Sequence, residues 1–345
     1  MAFVMRRIPM ADTAVPLLSV RDLVVEFRLD QGTIRAIDKV SLDLQAGRVL
    51  GVVGESGCGK SVTARAILGI LDPPGRVVSG RILLDPGSTK EQDLAQLSND
   101  SRALREVRGQ RIGLIFQEPM TALSNHYTVG NQLMEAVRAH RKAMSKAEAR
   151  EKVVQLLAEV GIPRPESRVD AYPFQLSGGL RQRVGIAMAL AGDPDILIAD
   201  EPTTALDVTT QAQILLLLRR LQRDKQIALM LITHDMGVIA QMADDVAVMY
   251  LGSVVERASV RSVFKAPRHP YTRALLRSVP SIRATPRERL ASIGGAVPHP
   301  ARRPTGCPFH PRCPEVIEGR CATTSPVPVS AGKDGAACFH AEAMA

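Results

Sequence analysis

A glycine-rich loop between an apolar run and a helical segment constrains the fold of this chain more than any other feature. The segment RVLGVVGESGCGKSVTARAILGIL contains, at 54–61, a match to the pattern G-x-x-x-x-G-K-[ST]. A strand entering such a loop and a helix leaving it aim backbone N–H groups and the positive end of the helix dipole at one point. The segment therefore predicts a phosphate-binding P-loop in an α/β domain, formed by Gly54, Glu55, Ser56, Gly57, Cys58, Gly59, Lys60 and Ser61.

Three residues of this loop have separate predicted roles. Lys60 should reach the β- and γ-phosphates of a bound nucleotide, and the hydroxyl of Ser61 should bind Mg²⁺. Cys58 occupies a position that the pattern leaves free, so it is either a small residue tolerated in the loop or a redox-sensitive thiol.

Further apolar runs predict the remainder of the sheet. RIGLIF (111–116), PDILIADEP (194–202) and IALMLITHD (227–235) are continuously apolar and alternate with helical segments, which is typical of a mostly parallel sheet covered on both faces. Residues of about 118–176 are helical in character instead, and the S-K-A-E that begins at Ser145 forms a capping box. We therefore expect a helical insertion within the α/β domain.

A pair of carboxylates ends one of these runs. In ILIADE, Asp200 closes an apolar strand and is expected to hold Mg²⁺ beside the P-loop. Glu201 follows it and is expected to orient or deprotonate the attacking water. A P-loop with such a pair predicts hydrolysis or transfer of a nucleotide phosphate.

Charge and hydropathy limit the possible partners. The net charge is +9, but residues 261–345 hold 13 Lys and Arg against 5 Asp and Glu, so residues 1–260 carry about +1. A nearly neutral domain predicts no nucleic-acid partner. No apolar run reaches the roughly 20 residues needed to span a bilayer, and the N-terminal segment lacks the apolar region of a secretory signal. We expect an intracellular chain with reduced cysteines.

One further motif distinguishes this chain from other P-loop proteins. LSGGLRQR (176–183) resembles the LSGGQ signature of ATP-binding cassette (ABC) proteins and stands shortly before the carboxylate strand, as in that family. The resemblance implies that Ser177, Gly178 and Gly179 cap the γ-phosphate of ATP held by an opposite subunit. Leu180 departs from the usual glutamine.

The other family elements occur in order. Gln117 in IFQEP is similar to the Q-loop glutamine, which senses Mg²⁺ and contacts the membrane partner. Asp207 in ALD is similar to the D-loop aspartate, and His234 in LITHD to the switch histidine that contacts the γ-phosphate. Phe27 stands where the family stacks an aromatic ring on adenine, although a simple core role is the alternative.

Three longer segments narrow the resemblance. IFQEPMTALSN, DEPTTALDVTTQ and HPYTRALL resemble ATPase subunits of oligopeptide/dipeptide importers. The resemblance implies an ABC ATPase domain over 17–260, with a β-rich N-terminal part, and a loop-rich extension over 261–345. It also implies ATP and Mg²⁺ as cofactors and a peripheral place on the cytoplasmic face of the cell membrane. The implied partners are two permease subunits, a second ATPase subunit and an extracytoplasmic binding protein.

Two alternatives to a peptide importer remain. One is a soluble ABC ATPase of translation or DNA repair, although such proteins usually carry two cassettes or a long coiled-coil insertion. The other is an importer ATPase for a different cargo, such as nickel chelates or glutathione.

Four cysteines in the extension predict a metal centre. Cys307, Cys313, Cys321 and Cys338 are separated by 5, 7 and 16 residues, without the close C-x₂₋₄-C pairs of most structural zinc sites. Four thiolates are also the ligand set of a [4Fe–4S] cluster, which some peptide-importer ATPases hold. We expect such a cluster, with zinc or unligated thiols as alternatives. Nearby arginines would offset its negative charge, namely Arg302, Arg303, Arg312 and Arg320.

Overall fold

An antiparallel sheet forms the N-terminal part of the molecule. The computed structural model describes residues 15–117, 123–279 and 293–342. Four strands pair in the order β2-β1-β4-β5. The two longest strands, β1 and β2, are joined by a tight turn at 30–31. Their bounds are Leu18–Leu29 (β1), Gly32–Leu44 (β2), Gly75–Leu84 (β4) and Gln92–Asp93 (β5).

A second, mostly parallel sheet carries the P-loop. Its order is β11-β10-β9-β3-β8-β7-β6, and the five strands from β9 to β6 are parallel, as the apolar runs predicted. The antiparallel strands β10 and β11 extend one edge. The bounds are Val49–Val53 (β3), Ile112–Ile115 (β6), Ile196–Asp200 (β7), Ala228–Thr233 (β8), Asp245–Tyr250 (β9), Ser253–Ser259 (β10) and Gly335–Ala336 (β11).

The two faces of this sheet belong to different hydrophobic cores. Leu50 and Val52 pack with the antiparallel sheet, whereas Val49 packs with the helices on the other face. Because successive side chains of a strand point to opposite faces, both sets must be apolar. This arrangement accounts for the continuous rather than alternating apolar runs in the sequence.

The helices cover the parallel sheet and form the predicted insertion. Ser145 caps its helix with a capping box, in which the Ser145 N–H donates to Glu148 Oε2 at 2.7 Å. The first helix ends at Ile67, and Gly69 just beyond it adopts φ +61°. The helices are Lys60–Ile67 (α1), Arg102–Gln110 (α2), Val129–His140 (α3), Lys146–Glu159 (α4), Pro165–Arg168 (α5), Gly178–Ala189 (α6), Val208–Lys225 (α7), Met236–Met242 (α8), Val260–Lys265 (α9), Pro270–Arg277 (α10) and Phe339–Glu342 (α11). None of the helices described is both long and apolar enough to cross a membrane.

The C-terminal extension contains more regular structure than the proline-rich sequence predicted. It contributes α10, α11 and β11, and β11 pairs with Glu256 and Arg257 of β10. A third hydrophobic core joins it to the parallel sheet through the rings of Tyr250, Tyr271 and Phe309. The boundary between residues 260 and 261 stays a prediction, although the extension packs directly on the sheet.

Candidate nucleotide-binding site

The P-loop joins β3 to α1 in a conformation that two glycines make possible. A Cβ atom on Gly54 would lie 2.2 Å from the Met249 carbonyl oxygen, so no side chain fits there. Gly59 has φ +101°, and a Cβ on it would lie 2.7 Å from Ile37. Both positions therefore require glycine, and the loop follows the path that the motif predicted.

Lys60 and Ser61 lie at the end of this loop, where α1 begins. The ammonium group of Lys60 donates to the carbonyl oxygens of Gly54 at 2.8 Å and Glu55 at 3.1 Å. The hydroxyl of Ser61 donates to Asp200 Oδ1 at 3.0 Å. Burial raises the pKa of Asp200, and the charge of Glu201 acts in the same direction. Of the three predicted Mg²⁺ ligands, Ser61 and Asp200 are thus in direct contact, whereas Gln117 contacts Glu201 instead.

Glu201 lies at the centre of a second group of side chains. Its Oε2 accepts hydrogen bonds from Gln117 Nε2 at 3.2 Å and from the hydroxyl of Thr204 at 2.9 Å. His234 Nδ1 lies 3.4 Å from Glu201 Oε1. Three residues predicted separately from the sequence, Gln117, Glu201 and His234, therefore meet at one carboxylate, and the structure adds Thr204.

The backbone at Glu201 has a left-handed conformation, with φ +46°. This region is unfavourable for residues with a Cβ atom, and such strain concentrates at functional sites. The Glu201 N–H donates to the carbonyl oxygen of Ile232 in β8 at 2.9 Å, which fixes the turn after β7. The carboxylate is consequently directed away from the strand, toward Gln117 and His234.

The signature residues form a separate group with the D-loop. Ser177 caps α6 by accepting the N–H of Leu180 at 3.4 Å, and a Cβ on Gly179 would lie 2.6 Å from Thr210. Asp207 caps α7, where its carboxylate accepts the N–H of Thr210 at 3.0 Å and the Thr210 hydroxyl at 2.6 Å. These hydrogen bonds lower the pKa of Asp207. The contacts of this group are mutual and do not include the P-loop.

Comparisons with known proteins agree with this geometry. The family model "ABC transporter" matches residues 37–204, and the model "Oligopeptide/dipeptide transporter, C-terminal region" matches residues 255–321. The dipeptide transport ATP-binding protein DppD of Escherichia coli (strain K12) is 49% identical over 310 residues, which is 90% of this chain and 92% of that protein. DppD of Bacillus subtilis (strain 168) is 51% identical over 298 residues, or 86% of each chain.

This chain belongs to the ABC transporter family. A solved relative has the same fold: the dimeric post-hydrolysis structure of the ATP-binding cassette MJ0796, bound to ADP and Pi, has a TM-score of 0.61 at 27% identity. The match covers 71% of this chain and 99% of MJ0796.

Two residues predicted to contact nucleotide, Phe27 and Cys58, pack against other parts of this ABC ATPase. Phe27 is half-buried in β1, and its ring lies over Gly75, where a Cβ would approach it to 2.6 Å. Cys58 is buried, and burial raises the pKa of its thiol. A neutral, buried thiol favours the interpretation of Cys58 as a small packing residue over that of a redox switch.

Gln182 is a further residue of this site that was not predicted from the sequence. It is buried in the signature helix α6, and its Nε2 donates to the Pro202 carbonyl oxygen at 2.7 Å, directly after Glu201. Its Oε1 has no hydrogen-bond partner among the residues that the structure describes. Gln182 thus connects the signature helix to the loop of the central carboxylate.

The four cysteines of the extension line one small cavity, together with His269 and Phe309. Burial and the neighbouring thiols raise the pKa of Cys307 to about 11. Two sulfur atoms accept backbone hydrogen bonds, Cys313 Sγ from Glu315 at 3.4 Å and Cys321 Sγ from Ile317 at 3.3 Å. Over 15–117, 123–279 and 293–342, however, no group of three or more His, Cys, Asp or Glu side chains is arranged to hold a metal ion.

Two of the arginines expected to offset a cluster charge have other partners. Arg303 pairs with Asp38 at 3.0 Å and donates to the Leu251 carbonyl oxygen at 2.7 Å. Arg312 pairs with Glu55 of the P-loop at 2.8 Å. The predicted charge compensation is therefore wrong for both, because acidic groups of the ATPase domain lie closer in the fold than the sequence could indicate.

Proposed function

We propose that this chain is the ATP-hydrolysing subunit of an importer for dipeptides or oligopeptides. The observation that carries the proposal is a complete P-loop site joined to an extension that matches the oligopeptide/dipeptide transporter model over 255–321. The names of the relatives, which are dipeptide transport ATP-binding proteins, support the cargo class.

The site residues have distinct roles in this proposal. The P-loop amides and Lys60 bind the phosphates of ATP, and Ser61 with Asp200 would hold Mg²⁺, which would neutralise phosphate charge. Glu201 orients the attacking water, with Gln117, Thr204 and His234 holding its carboxylate. Ser177, Gly178, Gly179 and Asp207 contact nucleotide bound by an opposite ATPase subunit, and Phe27 stacks on adenine.

An apolar groove supports a permease partner. A cavity of about 250 Å³ lies between the parallel sheet and α6, and its lining includes Leu68, Ile115, Phe116 and Met188. Phe116 is 50% exposed and immediately precedes Gln117. We infer that a helix of one permease subunit enters this groove, which would link the membrane partner to the Glu201 group and place the chain peripherally on the cytoplasmic face of the membrane.

Four cysteines line one small cavity, and four thiolates are the ligand set of a [4Fe–4S] cluster, in which each thiolate binds a different iron. We propose that Cys307, Cys313, Cys321 and Cys338 hold this cluster and that it links the segments of the extension.

A Glu201→Gln variant tests the catalytic part of the proposal. Losing the carboxylate that orients water should slow ATP hydrolysis by about 10²–10⁴-fold while ATP binding persists. Lys60→Ala is the contrasting variant, because it should weaken ATP binding itself. The measurement is ATPase activity and equilibrium ATP binding with the permease subunits present, and near-normal turnover by Glu201→Gln would refute the role of Glu201.

The cargo is tested in proteoliposomes that contain the full importer and its binding protein. Dipeptides or short oligopeptides should stimulate ATP hydrolysis and accumulate inside, and the Glu201→Gln transporter should do neither. Stimulation by glutathione or nickel chelates alone would overturn the peptide assignment but leave the ATPase assignment intact.

A further inference from the structure

The extension contacts the P-loop at Glu55. The carboxylate of Glu55 accepts two hydrogen bonds from Arg312, from Nη1 at 2.8 Å and from Nη2 at 3.1 Å. The backbone N–H of Glu55 donates to the hydroxyl of Tyr271 at 3.0 Å. Arg312 stands 257 residues from Glu55 in the sequence, so this contact exists only in the folded chain.

The same residue is joined to the phosphate-binding lysine. The carbonyl oxygen of Glu55 accepts a hydrogen bond from Lys60 Nζ at 3.1 Å. Every polar group of Glu55 is therefore engaged: the extension holds its N–H and carboxylate, and Lys60 holds its carbonyl oxygen. A displacement of Glu55 would move the loop that positions Lys60.

Arg312 and Tyr271 are themselves fixed by burial. The side chain of Arg312 is 3% exposed, and its Nε donates to the Gly294 carbonyl oxygen at 2.9 Å. Tyr271 is fully buried, and its ring centroid lies 4.7 Å from that of Tyr250 and 5.3 Å from that of Phe309. A bidentate arginine–carboxylate pair held in this way is geometrically specific as well as strong.

The contact of Arg312 and Tyr271 with Glu55 also lies next to the cysteine cavity. Phe309 lines that cavity and packs on Tyr271, and Arg312 immediately precedes Cys313. A second attachment of the extension, the pair of Arg303 with Asp38, makes no direct hydrogen bond to a P-loop residue among the described contacts. The two attachments can therefore be separated by mutation.

We propose that Arg312 and Tyr271 are positioning residues for ATP, which hold Glu55 so that the P-loop and Lys60 are preorganised for the nucleotide phosphates. Preorganisation lowers the cost of ordering the loop on binding, so affinity for ATP depends on the docked extension. The inference rests on the proposed ATPase function and deepens it, because it makes the extension part of the nucleotide site.

The test compares matched variants of the full-length chain. Arg312→Met keeps most of the buried volume and removes the positive charge, Glu55→Gln removes the carboxylate charge at nearly the same shape, and Tyr271→Phe removes only the hydroxyl. Arg303→Met is the control, because it breaks the attachment of the extension that makes no direct hydrogen bond to a P-loop residue among the described contacts. The measurements are the Kd for MgATP by equilibrium binding, KM and kcat for ATP hydrolysis, and the thermal unfolding temperature.

Arg312→Met and Glu55→Gln should each weaken ATP binding about tenfold, since a charge-assisted pair is lost. Tyr271→Phe should weaken it by a smaller factor, and in all three variants the change should fall on KM more than on kcat. The double variant that combines Arg312→Met with Glu55→Gln should bind ATP no worse than either single variant, because both substitutions remove the same interaction. Arg303→Met should lower the unfolding temperature and keep the Kd for ATP within about twofold of the original.

Three results would overturn the proposal. They are an unchanged Kd in Arg312→Met or Glu55→Gln, an equal loss of affinity in Arg303→Met, and additive losses in the double variant. If Arg312→Met does not fold, Tyr271→Phe and Glu55→Gln decide the question by the same criteria. Failure of the original chain to bind ATP would refute the proposed function as well, which distinguishes the two failures.

Discussion

Cys58 shows how one residue of a phosphate-binding loop acquires its properties from the fold. Its thiol is 1% exposed and lies 3.8 Å from Lys60 Nζ. Burial raises the thiol pKa, although the charge of Lys60 acts in the opposite direction. A cysteine next to a lysine would have been a candidate for a reactive thiolate on sequence grounds alone, and burial reverses that expectation.

We expect the thiol of Cys58 to resist alkylation in the native protein. At pH 8 the peptide that contains it should remain unmodified by iodoacetamide over a period in which the protein unfolded in urea is fully labelled, because only the exposed thiolate reacts. Mass spectrometry of that peptide measures the difference. Equal labelling rates in the native and unfolded protein would contradict the buried, neutral thiol.

Helix α10 begins with a histidine whose charge state is set by the fold. His269 is buried, and its Nδ1 accepts the N–H of Tyr271 at 3.0 Å as the cap of the helix. Burial, followed by the charge of Arg273, lowers the pKa of His269 to about 3. The unfolded chain therefore binds this proton more readily than the folded chain does, since an unperturbed histidine has a pKa of about 6.5.

The stability of the folded chain should therefore decrease as the pH falls. The contribution of His269 to stability is complete above pH 6.5 or so and is lost as the pH falls toward about 3, at up to about 1.4 kcal/mol per pH unit. His269→Asn keeps a capping acceptor and should reduce this slope by an amount that rises to about one proton as the pH falls from 6.5 to about 5, as measured by the pH dependence of urea unfolding.

An unchanged slope in His269→Asn would show that burial of this histidine at α10 is not the cause of the pH dependence.

At the level of elements, the sequence predicted what depends on local pattern. The strands β3, β6, β7 and β8, the P-loop and the capped helix α4 followed from apolar runs and from residue types at fixed spacing. Gln117, Glu201 and His234 were each predicted separately, and it is the strand order of the folded sheet that brings them together. Helix α10 was not predicted, although Pro270 at its first position and the preceding His269 are recognisable starting signals.

Contacts between distant segments could not be predicted in this way. Neither the pair of Arg312 with Glu55 nor that of Arg303 with Asp38 leaves a local pattern in the sequence, because each depends on how the extension packs against the sheet. For the same reason the sequence could not indicate that the charges of Arg303 and Arg312 are paired with carboxylates of the ATPase domain.

At the level of the whole molecule, the proposed cluster should hold the extension together. Anaerobically purified protein should be brown and contain about four irons per chain. Cys→Ser at any of the four positions should increase proteolysis within 293–342 and preserve the P-loop fold, whereas Cys58→Ser should leave the iron content unchanged. Stoichiometric zinc without iron, or neither metal, would show that the cluster assignment is wrong.

The short strand β11 has a consequence for any shortened form of this chain. It pairs with Glu256 and Arg257 in β10, which otherwise forms the outer edge of the parallel sheet. An uncovered edge presents free backbone donors and acceptors that can recruit a strand from another molecule. A chain that ended at residue 321, where the match to the extension model stops, would lack this cover and be prone to edge-to-edge aggregation.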